Sequence, residues 1–326
     1  MKNKPTIIRM SDVQAESVKW LWEPYIPLGK TTIIHGDPGE GKTHLALALI
    51  AALTRGDPLP MCSEAAPPMN VIYQTAEDGL RDTIKPRLEA SGADCSRVFA
   101  IDDGDRRLTL LDERVEAAIR ETNARLIVLD PLQAFVGGKM DMNRANKVRP
   151  LMKSLGDMAQ RTGCAVLLVS HINKARGTKA GYRGLGSIDF RAAARSVLLV
   201  GRVSKDSNIR AVVHDKSSLA KEGEPLSFAV DEHNRFQWLG PIDITASELL
   251  DGTGQPMTKV ETMEDELLRL LIRPLPATYI IAYAKNIGVS ERTVNTAKEH
   301  LGIVSEKRAD GWYWRLPDDS EFPVGA

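Results

Sequence analysis

The chain has 326 residues, with 43 Lys or Arg against 43 Asp or Glu, so its net charge is zero. That length predicts one large domain beside a small one. The neutral balance excludes a chain-wide basic field for nucleic acid and leaves only local patches.

Taken in chain order, the opening MKNKPTIIRM lacks the apolar core of a signal peptide. The longest apolar run, Leu45 to Leu53, is far short of the ~20 residues that cross a bilayer. A cytoplasmic protein is expected. Cys62, Cys95 and Cys164 are odd in number and lack ligand spacing, which argues for buried thiols in a reducing compartment over disulfides or a zinc site.

Five short β-branched runs read as buried strands: TTIIHG (31–36), NVIYQT (70–75), RLIVLD (125–130), AVLLVS (165–170) and SVLLVG (196–201). Helical patterns lie between them, over 43–54, 80–90, 114–123 and 143–161. This alternation predicts an α/β fold with a mostly parallel sheet and helices on both faces. IRAVVHD, LSFAV and RFQWLG then follow as strands expected to extend one edge in antiparallel fashion. The stretch LLDGTGQPMTKVE has no apolar period and reads as a linker. Beyond it come helical patterns at 261–272, 277–287 and 290–301 and a hairpin signal around Asp310-Gly311.

GDPGEGKT, Gly36 to Thr43, matches G-x-x-x-x-G-K-[ST] between a strand and a helix. Its glycines let the backbone N–H groups of Gly36, Asp37, Gly39, Glu40, Gly41, Lys42, Thr43 and His44 wrap a nucleotide's phosphates, while Pro38, which has no N–H, fixes the turn. Lys42 can reach the β and γ oxygens, the Thr43 hydroxyl can ligate Mg²⁺, and the helix adds its positive end. ATP with Mg²⁺ is the expected pair. RLIVLD ends at Asp130, where a carboxylate can hold the metal through water. The next residue is Pro131 rather than Glu, so the base that activates water must come from elsewhere. Glu77 in YQTAED is expected in that role, because strand C-terminal ends share one crevice. Asp78 is expected to cap the following helix. His171, ending the strand after that of Asp130, is a candidate sensor of the γ-phosphate.

GDPGEGKT, QTAED, LIVLDPL, SHINK and RGLGSIDFRAAARSVLLV together resemble the RecA-like hexameric ATPases, specifically the plasmid RepA-type replicative helicase group with its phage and mobile-element relatives. The likeness runs from about Trp20 to Gly240. It implies a RecA-like P-loop NTPase core, a homo-oligomeric ring, usually a hexamer, with ATP between neighbours, and single-stranded DNA in the pore. It implies a base after the second strand, as Glu77 is, and a magnesium Asp at Asp130. Primase or other replication proteins are possible partners.

Two segments would face such a pore. Residues 137–153 hold five basic residues (Lys139, Arg144, Lys147, Arg149, Lys153) and one acid; residues 173–191 hold five (Lys174, Arg176, Lys179, Arg183, Arg191) and one acid. Tyr182 could stack on a base, and the cations would grip phosphates without reading sequence. A cation donated by the next subunit would complete the site. Arg202 and Lys216 are candidates and Arg202 is favoured. Helicases of the DnaB type carry a Lys-x-Arg pair near the latter place, whereas this chain reads Lys216-Ser217-Ser218.

GVSERTVNTAKEHLGI resembles the second and third helices of a winged helix-turn-helix, with Ser290 as cap and Arg292 and Lys298 among the exposed residues of the reading helix. Residues 257–326 nonetheless hold nine basic and eleven acidic residues, so DNA binding, protein binding and a structural role all stay open. The expected boundaries are 1–248 for the ATPase domain, 249–260 for the linker and 261–326 for the winged helix. The functional expectation is an ATP-driven ring motor, a replicative helicase. Its rival is a DNA-binding regulator or helicase loader that uses ATP as an assembly switch.

Overall fold

The computed structural model describes residues 7–62, 64–104, 106–137, 145–171, 188–204, 208–231, 233–253, 259–271, 273–286, 289–308 and 311–317. The chain divides into two compact units, Met1–Thr253 and Gly254–Ala326.

The first unit opens with a short antiparallel pair, β1 (Trp20–Trp22) and β2 (Ile26–Pro27). β3 (Thr31–Gly36) leads through the phosphate loop into α1 (Lys42–Arg55). β4 (Val71–Thr75), α2 (Lys85–Ala90), β5 (Val98–Phe99), α3 (Glu113–Thr122) and β6 (Leu126–Asp130) follow, then α4 (Leu132–Phe135), α5 (Ala145–Thr162), β7 (Ala165–His171), α6 (Ile188–Ala193) and β8 (Ser196–Arg202). β9 (Ile209–Ser217), β10 (Leu226–Val230), β11 (Phe236–Pro241) and α7 (Ala246–Thr253) complete the unit.

Nine strands form one sheet in the order β11-β10-β9-β8-β3-β7-β6-β4-β5. From β8 through β3 to β5 every pairing is parallel; β9, β10 and β11 add on antiparallel, as the sequence predicts. The alternation of strand side chains makes two cores. On one face Ile34, Tyr73, Val128, Val169 and Val200 pack with Leu45, Leu49 and Leu53 of α1 and Leu88 of α2. On the other, Ile33, Ile72, Ile127 and Leu168 pack with Ile119 of α3, Leu155 of α5 and Phe190 of α6. This is an α/β fold with a large, mostly parallel sheet covered by helices on both faces.

Two local expectations are corrected. The helix expected over 80–90 begins as a π-helical turn, Leu80–Ile84, before α2. Pro86 has no N–H to donate, so a regular α ladder cannot run through this stretch. The linker expected from residue 249 does not start there. Leu249 is fully buried with Leu199, Ala211 and Val213 and belongs to α7, which lies against β8 and β9. The two glycines and the proline that follow it disguised an apolar anchor.

The second unit contains α8 (Lys259–Leu270), β12 (Leu275–Pro276), α9 (Ala277–Asn286), α10 (Glu291–His300), β13 (Val304–Arg308) and β14 (Gly311–Arg315). The Ser290 hydroxyl caps α10 by accepting from the Thr293 N–H at 3.3 Å. Val294 and Ala297 are buried against Leu267, Ile280 and Trp314. The hairpin β13–β14 pairs with β12 in a three-stranded sheet.

Candidate functional site

The parallel strands share one direction, so the C-terminal ends of β3, β4, β6, β7 and β8 rim a single crevice. Registers Gly36↔His171 and Thr75↔Asp130 bring four separate sequence motifs level with one another. At the first of these ends a side chain on Gly36 would strike the Val200 carbonyl oxygen of β8 at 2.1 Å, so only glycine lets the loop leave the sheet here. Gly41 has φ +93°, and a Cβ there would meet Arg210 Cδ at 2.8 Å.

Lys42 opens α1 and is 4 % exposed. Its ammonium donates to the carbonyl oxygens of Gly36 at 2.8 Å and Asp37 at 2.7 Å. Burial pulls its pKa down to about 8, against the opposing pull of Asp130, Asp37 and Glu40. The Thr43 hydroxyl donates to Asp130 Oδ2 at 2.8 Å, and the Tyr73 phenol donates to the same oxygen at 3.0 Å. Burial raises the Asp130 pKa, while Thr43, Tyr73, His171 and Lys42 act to lower it. Burial and Asp130 in turn raise the pKa of Tyr73, so the phenol stays a donor. Thr43 and Asp130 present the hard oxygen donors that Mg²⁺ prefers, side by side beneath the loop.

His171 ends β7. Burial and Lys42 lower its pKa, partly offset by Glu77 and Asp130, which places the imidazole within electrostatic reach of both carboxylates. Its Nδ1 is buried and has no hydrogen-bond partner, and the same holds for Gln133 Oε1. Gln133 Nε2 donates to Ser170 Oγ at 3.0 Å and to the His171 carbonyl at 3.4 Å, fixing the end of β7. Glu77 is exposed on the turn after β4, where its N–H and that of Asp78 both donate to Thr75 Oγ1 at 3.3 Å. Asp78 caps no helix. It forms an ion pair with Arg87 of α2 at 3.1 Å. The His44 ring meets Asn234 Oδ1 at 3.2 Å, on the β10–β11 connection.

Arg202 Nε lies 3.7 Å from Glu40 Oε2 of its own loop, because β8 runs parallel beside β3 and ends at the same level. Lys216 sits toward the opposite end of the antiparallel β9, with its ammonium donating to the carbonyls of Arg191, Ala192 and Ala194. Arg191, counted in sequence among the pore cations, is paired with Asp215 at 2.9 Å. Arg149 pairs with Asp189 at 2.7 Å and Lys153 with Asp157 at 2.8 Å. Lys147 is exposed on α5. Lys139, Arg144, Lys174, Arg176, Lys179, Tyr182 and Arg183 lie outside the described residues. On α10 Arg292 is exposed, whereas Lys298 stands 4.7 Å over the Trp314 ring.

Sequence reasoning missed Tyr73, Gln133 and Arg210. Tyr73 reads as one more core residue of VIYQT; only its neighbour across the sheet reveals the phenol's partner. Arg210 is buried, with its Nε unpaired, beside Gly41.

No curated protein matches the sequence. Among solved structures, the chain is similar to a DnaB-like replicative helicase solved for its interactions with primase, at 16 % identity and a TM-score of 0.52. That likeness covers 70 % of this chain and 63 % of the other, so the chain spans less than two thirds of that protein. It is also similar to a second solved structure, the ATPase domain of another protein, at 16 % identity and a TM-score of 0.50, covering 66 % of this chain and 85 % of that one. At such identities the shared feature is the fold. No helix among the described residues is long and apolar enough to cross a membrane. A family model described as AAA domain matches residues 2–177, which take in the phosphate loop, Glu77, Asp130 and His171, and the chain belongs to the AAA domain family.

Proposed function

We propose that the protein is an ATP-hydrolysing, DNA-associated ring motor that acts in the cytoplasm as the replicative helicase of a phage or mobile element. One observation carries the reading. Lys42, Thr43, Asp130, Glu77 and His171 converge at the strand ends of a fold shared with a DnaB-like replicative helicase.

On this reading the loop from Gly36 to His44 wraps the phosphates of ATP with its backbone N–H groups. Lys42 leaves the two loop carbonyls for the β and γ oxygens, which return the ammonium a full counter-charge. Thr43 and Asp130 hold Mg²⁺, which when bound would neutralise phosphate charge. Glu77, exposed to the crevice and its water, is the base. His171 offers its unpaired Nδ1 to the γ-phosphate and so reports its presence to the chain that follows β7. Arg202 supports its own loop through Glu40. Six copies form the ring, and Lys139, Arg144, Lys147, Lys174, Arg176, Lys179, Tyr182 and Arg183 track single-stranded DNA by phosphate contact and stacking. Residues 261–326 form a winged helix whose Arg292 and Lys298 side adds a second contact to DNA or to a replication protein such as primase.

The test is DNA-stimulated hydrolysis with salt-dependent binding. Affinity for single strands should fall with salt by a slope of roughly −0.7 per phosphate contacted. Truncation after Pro256 should preserve ring, stimulation and slope. Loss of all DNA affinity in the truncated ring would replace the motor by a loader whose only DNA reader is the second unit.

A further inference from the structure

The sheet register puts a second arginine against the phosphate loop. Arg210 of β9 stands directly opposite Arg202 of β8 on one side and Phe228 of β10 on the other, and Phe228 stands opposite Trp238 of β11. Residues directly opposite one another share a face of the sheet, so these four form one row. Two like charges side by side in such a row destabilise the pairing. Here the cost is greater, because Arg210 is only 9 % exposed. Burial and Arg202 both work against its charge, and Glu40 of the phosphate loop favours it.

The outer end of the guanidinium is held, with Nη1 donating to the Asn208 carbonyl at 3.1 Å. The inner nitrogen, Nε, is buried and has no hydrogen-bond partner. It faces Gly41, the residue that caps α1: a Cβ added there would lie 2.8 Å from Arg210 Cδ, 3.1 Å from Nε and 3.3 Å from Phe228 Cε2. A matching orphan lies one residue earlier. Glu40 Oε2 is buried without a hydrogen-bond partner, and Arg202 Nε, at 3.7 Å, is beyond hydrogen-bond reach. A buried donor and a buried acceptor of opposite charge are thus both unmet on adjoining elements, a costly arrangement.

The loop itself supplies a reason. The Asp37 carbonyl accepts from the Lys42 ammonium at 2.7 Å and from the Glu40 N–H at 3.4 Å. Both donors are ones that phosphate oxygens would claim. Losing both frees the peptides between Asp37 and Glu40 to turn, and the Glu40 side chain turns with them. A carboxylate beside a nucleotide's phosphates needs a cation of its own, and Arg210 Nε is an unused donor on the wall of the loop.

We propose that Arg210 is a positioning residue for nucleotide binding, which takes the Glu40 carboxylate as the loop closes on phosphate, so that the Glu40–Arg210 bond belongs to the loaded state. This rests on the reading of Gly36 to His44 as an ATP-binding loop and is independent of DNA.

The test is calorimetry of a non-hydrolysable ATP analogue with Mg²⁺ on the full-length wild type, Arg210→Met, Arg210→Lys, Glu40→Gln and the Arg210→Met/Glu40→Gln double variant, with thermal denaturation of each nucleotide-free protein. Arg210→Met keeps an unbranched stem beside Gly41 and removes the charged head. It should weaken binding by roughly tenfold or more. Glu40→Gln should also weaken binding in the Arg210 background and add nothing in the Met background, which is the non-additivity of a direct pair. Arg210→Lys, which keeps the charge, should recover part of the affinity. The Tm values of the nucleotide-free proteins should show no such coupling, because the bond is unmade there. Wild-type affinity in Arg210→Met, or losses that simply add in the double variant, overturns the proposal. Equal coupling in the nucleotide-free Tm values also overturns it, since the pair would then be structural. Glu40→Gln preserves the shape of the loop and decides the matter even where Arg210→Met does not fold: tighter binding would mean that Glu40 merely repels phosphate. A wild type that does not bind the analogue overturns the ATP-loop reading and this proposal with it.

Discussion

Tyr73→Phe removes one oxygen from the crevice, and its cost should depend on pH. Asp130, itself only 7 % exposed, accepts on Oδ2 from Thr43 at 2.8 Å and from Tyr73 at 3.0 Å. Burial raises the folded pKa of Asp130 above its unfolded value. A carboxylate of that kind stabilises the fold most when protonated, and the benefit is lost as pH rises through the raised folded pKa. The two donors moderate that loss by stabilising the ionised form. Deleting the phenol therefore pushes the pKa higher still and withdraws a bond to an anion at alkaline pH but a bond to a neutral acid at low pH. A hydrogen bond to a charged group contributes about 1.5–3 kcal/mol and a neutral one about 0.5–1.5 kcal/mol. For a unit of this size, each kcal/mol moves Tm by about 2–4 °C. The nucleotide-free variant should lose about 3–12 °C at pH 8 and about half as much below the Asp130 titration, by thermal denaturation followed in parallel with wild type. Equal losses at both pH values would refute the assignment of Tyr73 as a donor to an ionised Asp130. The same variant should need more magnesium for half-maximal hydrolysis.

Four further outcomes follow from the same crevice. Lys42→Ala should abolish ATP binding, measured by calorimetry, with the fold retained by circular dichroism. In the wild type ATP affinity should fall as pH passes about 8, because the free ammonium, its pKa depressed by burial, deprotonates there; pH-independent affinity would contradict this. Glu77→Gln should bind ATP normally and hydrolyse it ~10²–10⁴-fold more slowly, whereas Asp78→Asn, which loses only an exposed ion pair with Arg87, should be mild; the reverse ranking in a steady-state assay would exchange their roles. Rings mixed from Arg202→Ala and Lys42→Ala subunits should show no recovery of hydrolysis, since Arg202 and Lys42 serve the same loop; recovery would mean that Arg202 leaves Glu40 and reaches across a boundary.

What the sequence determined by itself is what local chemistry writes in one dimension. β-branched runs marked five of the six parallel strands within a residue or two, missing only the two-residue β5, and the three antiparallel strands after them. The spacing of Gly36, Gly41, Lys42 and Thr43 marked the loop, because close backbone approach and positive φ are demands on single residues. Asp130 and Glu77 could be placed in one crevice because parallel strands end on one side. Partnership across the sheet was not legible. Tyr73 meets Asp130 because β4 lies beside β6, and no local pattern encodes which strands become neighbours. Strand direction decided the two cations: β8 runs parallel to β3 and delivers Arg202 to its own loop, while β9 turns back and carries Lys216 to the other end, under α6. Leu249 and Arg191 read as linker and loop until the sheet supplied Val213 for one and Asp215 for the other. In each case the deciding partner is distant in sequence, and its position is fixed only when the sheet closes its hydrogen-bond ladders and buries both faces.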